Sequence, residues 1–382
     1  MRVWIENPFD NLPEEGFRPQ RYWLMADAFA RAGHEVVLWT ADFNHTTKAR
    51  RAVSHETPRS FALEFVHEPP YARNVSPGRM FSHWRYAREW RRRAAAYALE
   101  HGAPDAIVAS TPPLSACAAA RKLARRFGAK FVVDVMDAWP ETFERVAPRW
   151  ALCPLRAMAR ANYLGADIVT VVADRYEELV RSYGFRGEIR RFYHGIDLGG
   201  AVARRASAAG GGRLRLAYAG NLGRTYDLLT AVRALAELPD ATLDIAGLGD
   251  GADEISRLAS GLGVDSRVKM RGYLDKDELS GLLSECDAGL VPMAEDSCVG
   301  VPYKFCDYAK AGLAIVSSLG GESAKLLAKY RAGATYRPSD PASLVRVLRS
   351  LDTAECGANA RRMAELELDA AAIYDSYVRL VI

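Results

Sequence analysis

Strands rich in Val, Ile and Leu alternate with helical patterns along almost the whole chain, which predicts an α/β fold of parallel sheets covered by helices. Two further observations divide that fold in two. At 382 residues the chain exceeds one typical domain. Near its middle, residues 199–212 are rich in Gly, Ala, Arg and Ser, include Gly210-Gly211-Gly212, and read as a flexible linker. The expected architecture is therefore two doubly wound, Rossmann-like domains. The first spans residues 1–197, the linker 198–212 and the second domain 213–365, with a last helical segment at 366–382.

Arg2–Glu6 reads as the first strand, followed by a polar loop, Asn7–Gly16. This loop lies at a strand's carboxyl end, where open α/β sheets bind ligands. Gly16 could let backbone N–H groups approach a phosphate; a plain surface loop is the other reading. A helix from about Pro19 to Arg31 closes at Gly33-His34, and Glu35–Thr40 is the next strand. Residues 41–78 are irregular except for a strand at Phe61–His67. The helix Arg79–His101 sets Trp84, Tyr86 and Trp90 among Arg85, Arg88, Arg91, Arg92 and Arg93. Mixed aromatic and basic residues suit the headgroup layer of an anionic membrane. The alternative is an amphipathic helix with its aromatics on the sheet and its arginines solvated. No nucleic-acid motif accompanies the stretch, so nucleic acid is not an expected partner. Strands at Asp105–Ala109 and Lys130–Val135 flank a helix, Pro113–Phe127. A helix (Pro154–Leu164), a strand (Asp167–Val172), a helix (Ala173–Tyr183) and a strand near Ile189–Tyr193 complete the first half.

The second half restarts with the strand Arg213–Ala219 and the loop Gly220-Asn221-Leu222-Gly223-Arg224-Thr225. Gly220 and Gly223 permit close backbone approach, the following helix start favours an anion, and Arg224 can add a charge-assisted bond to a diphosphate. After the strand Thr242–Ala246, Gly247-Leu248-Gly249-Asp250-Gly251 lacks the dinucleotide-binding spacing. Arg267–Met270 leads to Arg271-Gly272-Tyr273. Asp275 and Asp277 imitate a metal-binding pair but stand at the start of a helix, Lys276–Glu285, and read as its N-cap and first-turn acid. No metal site is expected. The strand Ala288–Pro292 feeds the stretch on which the whole reading turns, residues 297–318. Pro302 suits a helix's first turn, Lys304 and Asp307 share one face, and Gly312 suits a left-handed C-cap. A cation, an anion and unpaired N–H groups at one helix start make an anion site beside a hydroxyl-recognition site. An ordinary amphipathic helix is the bland alternative. Helices at Pro341–Leu351 and about Thr353–Leu380 end the chain.

Composition narrows the setting. No run approaches the ~18 apolar residues that span a bilayer, and the amino terminus enters a strand without a signal-peptide core. The cysteines (117, 153, 286, 298, 306 and 356) show no metal-type spacing, which fits buried thiols in a reduced compartment. Residues 1–195 hold 29 Lys+Arg against 22 Asp+Glu, a net of +7. The remainder holds 51−29 = 22 against 47−22 = 25, a net of −3. A basic first half points to an anionic partner there.

The segment Pro302, Lys304, Asp307, Tyr308, Ala311, Gly312, Ile315, Val316 resembles the donor-site signature of glycosyltransferase family 4, which has the GT-B fold. The family usually has Glu at the place of Asp307, and a second Glu where Val299 stands. Ala219-Gly220-Asn221-Leu222-Gly223 resembles its phosphate loop, Asp134-Val135-Met136-Asp137-Ala138-Trp139-Pro140-Glu141 a segment facing the cleft, and His194-Gly195-Ile196-Asp197 its hinge. The resemblance implies two domains facing across a cleft, with residues 366–382 packing back on the first. It implies a retaining transferase that moves a sugar from a nucleoside diphosphate, UDP before GDP, to a glycan or lipid-linked acceptor in cell-surface glycan synthesis. It needs no cofactor and no metal. Gly16, Gly220, Asn221, Gly223, Arg224, Gly272, Tyr273, Lys304 and Asp307 would hold the donor. Arg224 and Lys304 would stabilise the leaving diphosphate, and Asp137 would orient or partly deprotonate the acceptor, unless it only caps the next turn. Trp139 and Glu141 would contact the acceptor, and Trp84, Trp90, Arg91 and Arg92 an anionic membrane, placing the protein in the cytoplasm at the membrane's inner face. No His stands between His101 and His194, so no catalytic His is assigned there. A sugar-nucleotide 2-epimerase of the same fold and a non-catalytic membrane-bound scaffold are the competing readings.

Overall fold

The computed structural model describes residues 1–52, 59–199, 213–223, 225–295, 297 and 299–382. It separates into two compact units, Met1–Tyr193 with Ala371–Ile382, and His194–Ala370.

The first unit is a parallel sheet built from β1 (Arg2–Glu6), α1 (Arg21–Arg31), β2 (Glu35–Ala41), the hairpin β3 (Phe43–Asn44) and β4 (Ala49–Arg50), and β5 (Ala62–Val66). The chain continues through α2 (Pro77–His101), β6 (Ala106–Thr111), α3 (Leu114–Phe127), β7 (Lys130–Val135), α4 (Cys153–Leu164), β8 (Ile168–Val171), α5 (Asp174–Ser182) and β9 (Glu188–Arg191). Strand order is β5-β2-β1-β6-β7-β8-β9, so the direction of winding reverses between β1 and β6. Central strands are buried on both faces and accordingly carry short apolar runs, Ala106-Ile107-Val108-Ala109 and Phe131-Val132-Val133. Trp4, Trp39 and Trp90 lie in one core cluster, with Trp4 and Trp39 edge-to-face at 5.5 Å.

The second unit repeats the plan with β10 (Leu214–Ala219), α6 (Leu228–Ala236), β11 (Ala241–Ala246), α7 (Ala252–Gly261), β12 (Val268–Gly272), α8 (Lys276–Ser284), β13 (Ala288–Val291), α9 (Tyr303–Ala311) and β14 (Ala314–Ser317). It closes with α10 (Gly321–Tyr330), β15 (Gly333–Thr335), α11 (Pro341–Ser350) and α12 (Thr353–Met363). The order β12-β11-β10-β13-β14-β15 reverses between β10 and β13. Asp275 caps α8 in a reciprocal box with Glu278, which accounts for the pseudo-metal pair.

The final helix is broken where the sequence reads it as continuous. A π turn at Ala364–Leu368 and an extended Asp369 separate α12 from α13 (Ala370–Val381). Residues of α13 complete the first unit: the Tyr377 hydroxyl pairs with Thr170 at 3.1 Å, and Lys130 donates to the Val381 carbonyl at 2.7 Å. The expected linker lies outside the described residues from 200 to 212. No described helix is long and apolar enough to cross a membrane.

Candidate active site

Ligands of open α/β sheets settle where neighbouring connections diverge, beyond the carboxyl ends of the strands. In the second unit that point is flanked by the loop after β10 and the loop from β13 into α9. Both converge on one ammonium group. Lys304 is only 7% exposed, and its Nζ donates to the Tyr218 hydroxyl at 3.0 Å. The same nitrogen sits 4.1 Å from the Tyr218 ring centre and 3.8 Å from that of Tyr226. A Cβ added to Gly220 would lie 2.9 Å from it, so the loop backbone passes directly beside the charge. Among the described residues no carboxylate pairs with Lys304. Burial lowers its pKa from 10.5 to about 7.

The loop is held in place by other glycines. Gly247 has φ +147, and a Cβ there would stand 1.8 Å from the Gly220 carbonyl oxygen. A Cβ at Gly249 would likewise stand 2.7 Å from the Leu222 backbone. The Gly-x-Gly-x-Gly stretch thus lets the loop after β11 lie under the loop after β10. Backbone N–H groups of Gly220 and Leu222 donate to Ala246 and Leu248. Those of Asn221 and Gly223 have no partner among the described residues. Tyr308, on α9, accepts from the Ala219 N–H at 2.8 Å and fixes α9 against the end of β10.

The first unit carries a second cluster at its own strand ends. Asp137, just past β7, accepts from the Ala138 N–H through Oδ1. Burial raises its pKa against that bond, a bond from Thr142 and the charge of Arg79. Next to it Trp139 is buried, 5.7 Å from the His83 ring, with the Arg79 guanidinium 5.1 Å from its centre. Arg79 and His83 share a face of α2 and pair through Nε and Nε2 at 3.2 Å. Since arginine only donates, His83 Nε2 accepts and its proton sits on Nδ1, which is buried without a partner among the described residues. His45 Nδ1 lies 2.5 Å from the Tyr71 hydroxyl and 3.4 Å from the Lys48 ammonium. Both neighbours donate, so His45 carries its proton on Nε2. Burial and the adjacent cations push His45 down to about 3 and His83 to about 2, so both rings are neutral.

Comparison with known proteins matches both halves of the chain. Residues 213–353 fit the family model described as Glycosyl transferases group 1, and residues 21–199 the one described as Glycosyltransferase Family 4. The chain is a glycosyltransferase of the family 4 type. Its fold is that of a sucrose-phosphate synthase from Thermosynechococcus elongatus, at TM-score 0.76 and 16% identity over 99% of this chain and 98% of that one. HepE from Anabaena, solved with UDP, gives 0.72 and 14% over 100% and 99%. The lipopolysaccharide outer core galactosyltransferase WaaB, in its apo form, gives 0.65 and 14% over the same shares. A search of curated protein sequences finds no significant match.

The transferase places the donor residues unevenly. Lys304, Gly220, Asn221 and Gly223 come together; Asp307 follows on the next turn of α9 and is half-buried. Gly272 ends β12 with φ +69 and accepts from the Gly247 N–H at 2.7 Å; Tyr273 beside it is 56% exposed. Arg224 lies outside the described residues. Gly16 is a correction: its N–H donates to Pro13 O, and its φ of +81 closes a turn, so it offers no N–H to a phosphate.

On the acceptor side, Asp137 caps no helix, since the next turn begins after Pro140 without a side-chain cap. Glu141 is also corrected: its Oε1 takes the Tyr183 hydroxyl at 2.5 Å and Arg156 at 3.4 Å, which makes it a brace. Trp90 is fully buried and cannot touch a membrane. Trp84 is 50% exposed, while Arg91 and Arg92 are exposed. His45, His83, Arg79 and Tyr71 were not anticipated from the sequence; the four-residue spacing of Arg79 and His83 was the available signal. Among the described residues no group of three or more His, Cys, Asp or Glu could hold a metal ion.

Proposed function

We propose that this transferase moves a sugar, with retention, from a UDP-sugar to the hydroxyl of a lipid-linked or polysaccharide precursor, without a divalent metal. The observation that carries the reading is Lys304, a buried ammonium without a carboxylate partner among the described residues, set against a glycine loop. As the bond between the anomeric carbon and the diphosphate breaks, negative charge grows on the leaving group. Lys304, the N–H groups of Asn221 and Gly223 and the start of α9 would meet it. Asp307 would bind the ribose hydroxyls. The acceptor oxygen bonds to the anomeric carbon, and Asp137, with its raised pKa, orients that hydroxyl and draws on its proton. Neighbours of the same fold solved with UDP and with UDP-glucose support the choice of nucleotide.

A peripheral membrane contact belongs to the same proposal. Phe81 and Trp84 are more than half and half exposed on α2, and Arg85, Arg88 and Arg92 line a groove of about 740 Å³ with Lys122 and Arg126 of α3. Calorimetry with UDP, GDP and their sugars, followed by NMR of the product's anomeric proton, tests the donor and the stereochemistry. No nucleotide binding in the wild type, against intact folding, would remove the donor reading.

A further inference from the structure

We infer that the cluster on the first unit is the acceptor pocket and that it selects an acceptor carrying a phosphate or carboxylate, read by Arg79 and Lys48. This inference rests on the transferase reading above and names its second substrate class. Arg79 is boxed by three rings, its guanidinium carbon 5.4 Å from the Phe9 centre, 5.8 Å from Tyr71 and 5.1 Å from Trp139. Its Nε is spent on His83, Nη1 donates to the Asn74 carbonyl at 2.8 Å, and the guanidinium also donates to the Tyr71 hydroxyl. Lys48 lies on the same Tyr71 ring at 4.7 Å and donates to the Asn74 side chain at 2.5 Å. Two cations therefore share one aromatic ring and one asparagine. Among the described residues neither forms an ion pair. Like charges so placed repel unless an anion joins them.

Two further features mark the cluster as built for a ligand. Lys48 has φ +59, a left-handed backbone that non-glycine residues rarely adopt and that functional sites tolerate. His83 is 1% exposed and leaves its Nδ1 unpartnered among the described residues, while its Nε2 aims Arg79. Both features cost stability and both serve to hold a cation in place. Glu68 and Asp137 act on Arg79 only through space, and Glu68 accepts instead from the Ser82 hydroxyl at 2.9 Å. An arginine stacked on rings and a lysine beside it put two cations together, and their remaining N–H groups suit an oxyanion. Trp139 and Phe9 then supply faces for a sugar ring, with Asp137 adjacent for the hydroxyl.

The test is calorimetric, on the full chain saturated with UDP so that the donor site is filled. Inorganic phosphate is titrated into wild type, Arg79→Gln and Lys48→Gly. The expected result is millimolar binding to wild type, weaker by about tenfold or more in each variant, as loss of a charged hydrogen bond implies, with UDP affinity unchanged. Lys48→Gly also relieves the left-handed backbone, so its Tm should equal or exceed that of wild type; lost phosphate binding there cannot be misfolding. Decyl phosphate and glucose 6-phosphate serve as further titrants, and preference for one names a lipid headgroup or a phosphorylated sugar as the source. Equal phosphate affinity in all three chains, or no phosphate binding to UDP-loaded wild type, would overturn the inference. If UDP itself fails to bind, the donor reading falls alone. Phosphate titrated into Lys304→Met with and without Lys48→Gly then still decides this one.

Discussion

Lys304→Met should make the protein more stable and nearly inactive, and the size of both effects follows from the burial of one ammonium group. In the folded chain the group's pKa falls from 10.5 to about 7 because the charge is desolvated. At about 1.36 kcal/mol per pH unit, that difference is a penalty of about 5 kcal/mol for folding with the charge in place. Methionine gives up the hydrogen bond to the Tyr218 hydroxyl, about 1.5 kcal/mol, and about as much again in packing against the Tyr218 and Tyr226 rings, leaving about 2 kcal/mol to recover. For a unit of this size that corresponds to about 4–8 °C in Tm at pH 7. Between pH 7 and 10.5 the unfolded chain holds a proton the folded chain has lost, so wild-type stability rises with pH across that window. The advantage of methionine is full below pH 7 and should shrink to about 1 kcal/mol or less by pH 9.5. Turnover should drop by about a hundredfold, as for the loss of one preorganised donor. An anion bound beside Lys304 restores its charge, so UDP binding to wild type at pH 8 should take up close to one proton. Calorimetry in buffers of different ionisation heat reads that uptake directly. A variant that melts at or below wild type at pH 7, a gap that persists at pH 9.5, or UDP binding without proton uptake would each refute the reasoning.

Gly247→Ala should displace the Gly220 loop, since its Cβ would meet a carbonyl oxygen, and weaken UDP binding by tenfold or more on the strength of one lost charged contact. Titration beside a thermal melt separates the local effect from unfolding. Asp137→Asn should lower turnover by about a hundredfold with donor KM unchanged; an equal rate in steady-state assays would leave Asp137 a loop residue. Asp134→Asn should cost about 3–5 kcal/mol, because it strands a buried arginine, and denaturant unfolding measures it. Arg85/Arg88/Arg92→Ala should weaken binding to phosphatidylglycerol vesicles by about 1 kcal/mol per residue, read by sedimentation, while Trp90→Ala should leave vesicle affinity alone and cost about 3–5 kcal/mol of stability.

The fold was legible because each element carried a local signal. Asp275 with Glu278 announced a capped helix, and the apolar runs at 130–135 and 288–291 announced buried parallel strands. Lys304 was legible for the same reason: its proline, its helix and its C-cap glycine are neighbours in sequence. The first unit's pocket was not. Phe9, Tyr71 and Trp139 follow β1, β5 and β7, His45 lies in the β3–β4 hairpin and Arg79 on α2, and only the tertiary fold brings them together. Helix α2 shows the opposite failure, a signal present but outweighed. Tyr86, Trp90, Ala94 and Tyr97 step by four, four and three, which is one helical face; the first three are buried and Tyr97 half-buried. Counting aromatics among arginines, without sorting them by face, put Trp90 at a membrane. Gly16 misled because a glycine that closes a turn and a glycine that cradles an anion look alike until the hydrogen bonds are drawn.

Asp134 and Asp137 stand three residues apart at one strand end and have come to opposite states. Burial pushes both carboxyls up, yet the Arg21 guanidinium, bound bidentately at 2.7 and 2.8 Å, holds Asp134 below the usual carboxylate range. Tyr22 and Thr170 donate to it as well. Among the described residues Asp137 pairs with no such cation, Arg79 acting on it only through space, and burial keeps its pKa raised. One carboxylate is thus fixed as a charge, while the other keeps the basicity that proton transfer requires. The fixed one also governs the chain's course. Arg21 donates to the carbonyls of Phe192 and Tyr193, the last residues before the chain leaves the first unit. It lies 6.0 Å from the rings of Tyr374 and Tyr377, just after the chain returns. Both passages between the units are therefore anchored on one buried ion pair. A pair that replaceable hydrophobic packing could rival in stability is retained where it fixes position, and here the position it fixes, within the first unit, is that of residues 192–193 and of the helix α13.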